Sequence, residues 1–135
     1  MATIFTRIIN GELPGRFVYR DDQVVAFLSV APMSLGHTLV VPVAEVDHWI
    51  DCDPELWQHL NRVALQVGRA VQPVAGTARV ATLIAGFEVP HLHLHVFGAD
   101  DMSGFQLSPQ AAKEFSDEEL DAAAARIREA IESLD

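Results

Sequence analysis

The 135-residue chain predicts a single α+β domain, and three observations carry that reading. Residues 16–41 hold three strand-like segments in succession. Residues 53–73 repeat apolar side chains at helical spacing. Alternation then returns at 79–97, ahead of a second amphipathic stripe. Half of the residues are apolar, enough for one contiguous core at this length, and no repeat, low-complexity tract or charge block marks a linker. The expected layout over 1–135 is an antiparallel sheet of about five strands with a packing helix and a C-terminal helix.

The elements follow in order. Thr3 to Asn10 carries Ile4, Phe5, Ile8 and Ile9 at i, i+1, i+4 and i+5, the stripe of a short helix, with Asn10-Gly11 as its stop. "RFVYRDDQVVAFLSV" (16–30) is β-branched and aromatic on both sides of Asp21-Asp22, which predicts two antiparallel strands about a tight turn. Pro32 and Gly36 bracket a loop, and "HTLVV" (37–41) is a third strand ended by Pro42, so the three favour a meander.

Asp53 is a suitable N-cap and Pro54 suits the first helical position. Leu56, Leu60, Val63, Ala64, Val67 and Val71 keep the helical period up to Pro73. "RVATLIA" (79–85) and "VPHLHLHVF" (89–97) read as two more strands joined through Gly86. Ser116 and Glu119 form a capping box, and Leu120, Ala124, Ile127, Ile131 and Leu134 share one face of a last helix whose acidic first turn complements the helix dipole. The segment from Gly98 to Phe115 is a long loop, either a cover for a site or a solvent-exposed connector.

Charge narrows the partners. Net charge is −10. Residues 99–135 hold ten acidic against three basic residues, and residues 1–98 hold nine against six. With one lysine and no basic stripe, a nucleic-acid backbone or an anionic membrane is repelled, whereas a small phosphate ligand in a local pocket is not excluded. The start lacks a signal-peptide pattern and the longest aliphatic runs, Leu39 to Val43 and Val80 to Ala85, are far short of a membrane span, so a soluble cytoplasmic protein is expected. Cys52, the only cysteine, has no internal disulfide partner. Asp51 and Asp53 beside it raise a thiol pKa, so it is read as structural.

The chemistry concentrates in "VPHLHLHVF". In an extended strand His91, His93 and His95 face one way, about 6.6 Å between neighbours, while Leu92, Leu94 and Val96 face the other. Two chemistries want such a cluster. A metal site would recruit a further ligand from elsewhere, His37 being available, but three same-face positions splay along a strand where a tetrahedral ion asks for convergence. Nucleophilic and acid–base catalysis is the second: one neutral ring attacks while a cationic neighbour stabilises an oxyanion or protonates a leaving group, an arrangement suited to phosphorus. His48 and His59 have no partner motif and read as surface or packing residues, and Trp49 and Trp57 as core or dimer contacts.

"HLHLHVF" resembles the alternating signature of the histidine-triad (HIT) superfamily. "GHTLVVP" (36–42) resembles its second signature, and "TIFTRIINGELPGRFVYRDDQVVAFLSV" its first helix and hairpin, so the similarity runs from Thr3 to about Gly98. The resemblance implies an α+β fold and a homodimer whose two sheets join. It also implies action on the α-phosphate of nucleotide conjugates, without a cofactor or metal. His93 would attack phosphorus to give a nucleotidyl-histidine that water hydrolyses, with His91 and His95 orienting it and handling charge, and His37 supporting the cluster. The base pocket would map to Ile4, Phe5, Ile8, Phe27 and Val30, although the same aliphatic stripe also packs the first helix.

Departures from the family pattern bear on specificity. Phe87 and Glu88 stand where Gln and Ser or Thr are common, and Ser29 stands where an acid usually holds the ribose hydroxyls. No Asn lies between the second helix and the triad. The CxxC of some members is represented by Thr6 with no cysteine pair, so their zinc is not expected. "FGADDMSGF" replaces the Pro-Arg that often follows the triad, and the helix at 116–134 maps onto no part of the family pattern. A hydrolase or transferase of small nucleotide conjugates is therefore expected first, a nucleotide- or phosphate-binding protein with weak or no catalysis second, and a metal-dependent hydrolase third.

Overall fold

Every apolar stripe has a packing partner in the computed structural model, which describes residues 2–133. Helix α1 (Ile4–Ile9) starts at Thr3, whose side chain accepts the Thr6 N–H, and stops at Asn10 ahead of Gly11 at φ 82°. Strands β1 (Phe17–Arg20), β2 (Val24–Leu28) and β3 (Thr38–Pro42) make the expected meander, its first turn closed by the Asp21 carboxylate, which accepts the N–H groups of Gln23 and Val24. Helix α2 (Pro54–Ala75) is capped by Asp53. Strands β4 (Arg79–Leu83) and β5 (Leu94–Ala99) complete a sheet of order β1-β2-β3-β5-β4, with every pair antiparallel. Helix α3 (Asp117–Glu132) opens on the Ser116–Glu119 capping box; Leu134, expected on its stripe, lies outside the described residues.

Four boundaries differ from expectation. Helix α2 runs through Pro73 to Ala75, and its stop is set instead by Gly76, which takes the left-handed conformation and bonds its N–H to the Gln72 carbonyl. Pro42 is the last residue of β3, paired with Val24, not a residue beyond it. The strand expected over 79–85 ends at Leu83. The strand expected over 89–97 starts only at Leu94, so His91 and His93 precede the ladder and His95 alone of the triad sits in it, opposite Leu39 and Leu83.

The two faces of the sheet have different partners. On one, Val24, Ala26 and Leu28 of β2, Val40 of β3 and Leu94 and Val96 of β5 pack on Leu60, Val63, Val67 and Val71 of α2 and on Ala124, Ile127 and Ile131 of α3. On the other, Val25, Phe27, Leu39 and Val41 pack on Phe5, Ile8 and Ile9 of α1. Central strands buried on both faces read as continuous apolar runs, and that is the pattern of "VVAFL". Each fully buried side chain of this kind contributes about 1.5–3 kcal/mol.

The two sheet edges are treated differently. Helix α3 guards β1: Arg16 pairs with Asp117 at 3.0 Å and Asp121 at 2.8 Å, and Arg128 donates to the Phe17 carbonyl. The β4 edge carries exposed Arg79 and Thr82 and pairs only with β5. The long loop after β5 is a cover: Phe105 packs edge-on to buried Phe97 at 5.3 Å and the Lys113 N–H bonds the Pro32 carbonyl. Trp57 packs at the rim of the core, while Trp49, half exposed, stacks on it at 5.3 Å. His59 does have a partner, the Asp21 carboxylate at 2.7 Å, which holds α2 to the first hairpin.

Candidate functional site

A cavity of about 360 Å³ opens where α1, the end of β2, residues 85–89 and the cover loop meet. His37, His93 and His95 line it. A larger hollow of about 810 Å³ lies between α2 and β4 but holds no histidine, so the chemistry rather than the volume locates the site.

The protons of the four rings, three buried and His95 half-buried, can be assigned from their partners. A carbonyl only accepts, so the 2.7 Å contact from His93 Nδ1 to the His91 carbonyl is an Nδ1–H bond, and Nε2 of neutral His93 keeps its lone pair. His91 likewise donates Nε2–H to the Pro42 carbonyl at 2.7 Å, leaving Nδ1 to accept from the Thr3 hydroxyl at 2.7 Å. His37 Nδ1 accepts the Met33 N–H at 3.0 Å, so its Nε2–H donates to His95 Nδ1 at 3.0 Å and the His95 proton sits on Nε2. One ring of the pair His93 and His95 thus carries a lone pair and the other a proton, with centroids 5.0 Å apart.

Burial keeps these rings neutral. It is the largest cause for all four, pushing His37 to about 3 and His95 to about 4, with the charge of His95 and His93 acting in the same direction on His37 and that of His93 on His95. His93 and His91 are also lowered by burial, opposed by their bonds to the His91 and Pro42 carbonyls; Glu88 opposes it at His93 and Glu45 at His91. The cationic neighbour expected from the sequence is therefore not a feature of these rings: near neutral pH the cavity presents a lone-pair nitrogen and an N–H donor, both uncharged.

The cavity gathers the residues named from sequence with one exception. Ile4, Phe5, Ile8, Phe27, Ser29 and Val30 all line it, Phe5 edge-on to His93 at 4.9 Å and Val30 almost fully exposed at the rim. Phe5, Ile8 and Phe27 are core residues as well, so the packing and ligand readings of that stripe both hold. Ser29 Oγ accepts the Ala31 N–H at 3.1 Å. The exception is His91, which is fully buried and absent from the lining; it acts on His93 from behind, through its carbonyl.

Glu88 and Phe87 are exposed and stand at the mouth, and no lysine or arginine lines the cavity. Among the described residues, no three of His, Cys, Asp and Glu are grouped to hold a metal. Two contributors escaped the sequence reading. Leu107, Ser108 and Pro109 reach the cavity from the cover loop, which only its length flagged. Thr3 meets His91 across 88 positions, a contact that no local pattern encodes.

A buried histidine cluster at the start of the fourth-ranked strand of a five-stranded antiparallel sheet, beside an apolar cavity, defines a histidine-triad protein. The HIT domain profile matches residues 10–102, and the chain belongs to that family. It is 34% identical over 109 residues to an uncharacterised HIT-like protein of Borreliella burgdorferi, covering 76% of this chain and 78% of the relative. Among solved structures it is similar to a hypothetical histidine triad nucleotide-binding protein of Sulfolobus tokodaii, with 31% identity and a TM-score of 0.82 over 96% of this chain and 92% of the other. A Hit-like protein of Bartonella henselae, described as involved in cell-cycle regulation, gives 29% identity and a TM-score of 0.79, covering 95% of each chain.

Proposed function

We propose that the protein is a hydrolase or transferase of nucleotide conjugates, acting at the α-phosphate through a covalent nucleotidyl-His93 intermediate. The observation that carries this reading is the His93 tautomer: Nδ1–H is spent on the His91 carbonyl, which leaves Nε2 as a lone pair in a ring that lines the cavity. Nε2 forms a bond to phosphorus as the bond to the leaving group breaks; an amine whose nitrogen solvent has protonated departs as the neutral amine, and a phosphate departs as its anion. The His95 Nε2–H donates to a phosphoryl oxygen. Water then attacks phosphorus, the P–N bond breaks with its electron pair returning to Nε2, and the water proton passes to solvent, which restores neutral His93. The base lies against Ile4, Phe5, Ile8 and Phe27 and the ribose near Ser29 and Val30.

The β4 edge and the hollow beside it support a homodimer with a sheet continuous across both copies. No described helix is long and apolar enough to cross a membrane, and the lone thiol fits a cytoplasmic place of work. A second reading, a nucleotide-binding protein with weak catalysis, is favoured by Glu88 at the mouth and by a cavity lining without a cationic side chain. Single-turnover assays with adenosine and guanosine phosphoramidates and dinucleoside polyphosphates separate the two. The hydrolase reading expects His93→Gly to cut turnover by about 10³-fold or more with ligand affinity largely kept. Binding without a product burst in the native protein favours the second.

A further inference from the structure

Residues 89–93 hold the carbonyl that orients His93, yet they lie outside the sheet ladder. Their main-chain anchors are the His91 N–H to Val89 and the Leu92 N–H to Val46. Leu92 is buried in the core and Val89 packs beside α1, and the His91 ring adds polar anchorage, clamped between the Pro42 carbonyl on β3 and the Thr3 hydroxyl at the head of α1, each at 2.7 Å. Thr3 is itself tied down: its N–H donates to the Glu45 carboxylate at 3.1 Å, its Oγ1 accepts the Thr6 N–H at 3.1 Å, and Thr6 Oγ1 lies 3.3 Å away.

From this geometry we infer that Thr3 is a positioning residue of the site, holding His91 in the Nε2–H tautomer and, through the His91 main chain, setting the carbonyl that directs the His93 lone pair. Deleting the hydroxyl leaves a buried imidazole nitrogen without its donor and frees the ring to flip or change tautomer. The His91 carbonyl then loses its polar restraint from α1, and a shift of about 1 Å in a reacting group is enough to cost on the order of 10²-fold. Thr3 also caps α1, whose Ile4, Phe5 and Ile8 wall the cavity, so a single side chain sets the ligand wall against the nucleophile.

The inference rests on the reading of His93 as the nucleophile, and its test has one readout that does not. Thr3→Asp keeps the N-cap but offers His91 Nδ1 an acceptor only; Thr3→Val removes both roles; Thr3→Ser keeps both. Imidazole ¹⁵N spectra report the tautomers directly. The native protein and Thr3→Ser are expected to show His91 as Nε2–H and His93 as Nδ1–H. Thr3→Asp is expected to show His91 protonated on Nδ1, and Thr3→Val a mixed His93 tautomer. On an adenosine phosphoramidate, kcat is expected to fall about tenfold or more in Thr3→Asp with KM within about twofold, and to be rescued in Thr3→Ser. Native-like His91 and His93 spectra in both Thr3→Asp and Thr3→Val overturn the assignment, as does unchanged kcat in Thr3→Asp. If the native protein shows no turnover, the hydrolase reading fails while the spectra still decide the role of Thr3.

Discussion

The Nε2–H of His37 donates to Nδ1 of His95 across 3.0 Å, and neither ring has room for a second proton at neutral pH. Folding holds both below the ordinary imidazole value of 6.5, His37 at about 3 and His95 at about 4. The unfolded chain therefore binds more protons than the folded one between pH 6.5 and 3, and stability falls as the pH drops through that window. Thermal midpoints are expected to decline steadily from pH 7 to pH 5. The Asp21 carboxylate, held at about 2 despite its burial by bonds from Tyr19, Gln23, His59 and Val24, loses its contribution only below its ordinary 3.8, outside this range. A midpoint flat from pH 7 to pH 5, or a slope unchanged in His37→Asn, counts against the neutral pair.

Glu88 stands at the mouth of a cavity without a lysine or arginine in its lining, and its charge reaches His93. Removing that charge favours anionic ligands. Because the group is exposed, the effect is small: Glu88→Gln is expected to tighten AMP binding by about two- to fivefold at low salt, with the gain fading as ionic strength rises. Calorimetric titration at two salt concentrations checks it, and weaker binding in the variant contradicts the placement.

Helix α3 is part of the core rather than an appendage, since Ile127 is fully buried between α2 and the sheet. Ile127→Ala is expected to lower the unfolding free energy by about 2–5 kcal/mol in denaturant titrations. A loss below about 1 kcal/mol shows that the helix detaches at little cost.

The β4 edge and half-exposed Leu65 on α2 flank the same hollow. Light scattering is expected to give twice the 14.8 kDa chain mass for the native protein and to move toward the monomer in Leu65→Glu. A native protein of single-chain mass refutes the shared sheet.

Much of the fold was legible because its signals are local. The Asp53 cap, the Ser116–Glu119 box and the continuous apolar run of "VVAFL" each depend on residues within one turn or one strand. The lining of the candidate cavity was legible as a list of residues but not as a geometry. His91, His93 and His95 look equivalent in an ideal strand, yet the ladder begins at Leu94, so only His93 and His95 line the cavity while His91 turns inward to Pro42 and Thr3. Tertiary partners decided that, as they decided that His59 bonds Asp21 and that the acidic loop reaches the cavity through Leu107. The expected cationic neighbour failed for a related reason: burial, which a sequence motif does not display, outweighs imidazole basicity.

The most direct measurement is the intact mass of the protein quenched in alkali during turnover of an adenosine phosphoramidate, followed by peptide mapping. A mass gain of one nucleotidyl group on the peptide carrying His93, absent in His93→Gly, is the predicted result. Undiminished turnover in His93→Gly, or the nucleotidyl group on any other residue, would contradict it.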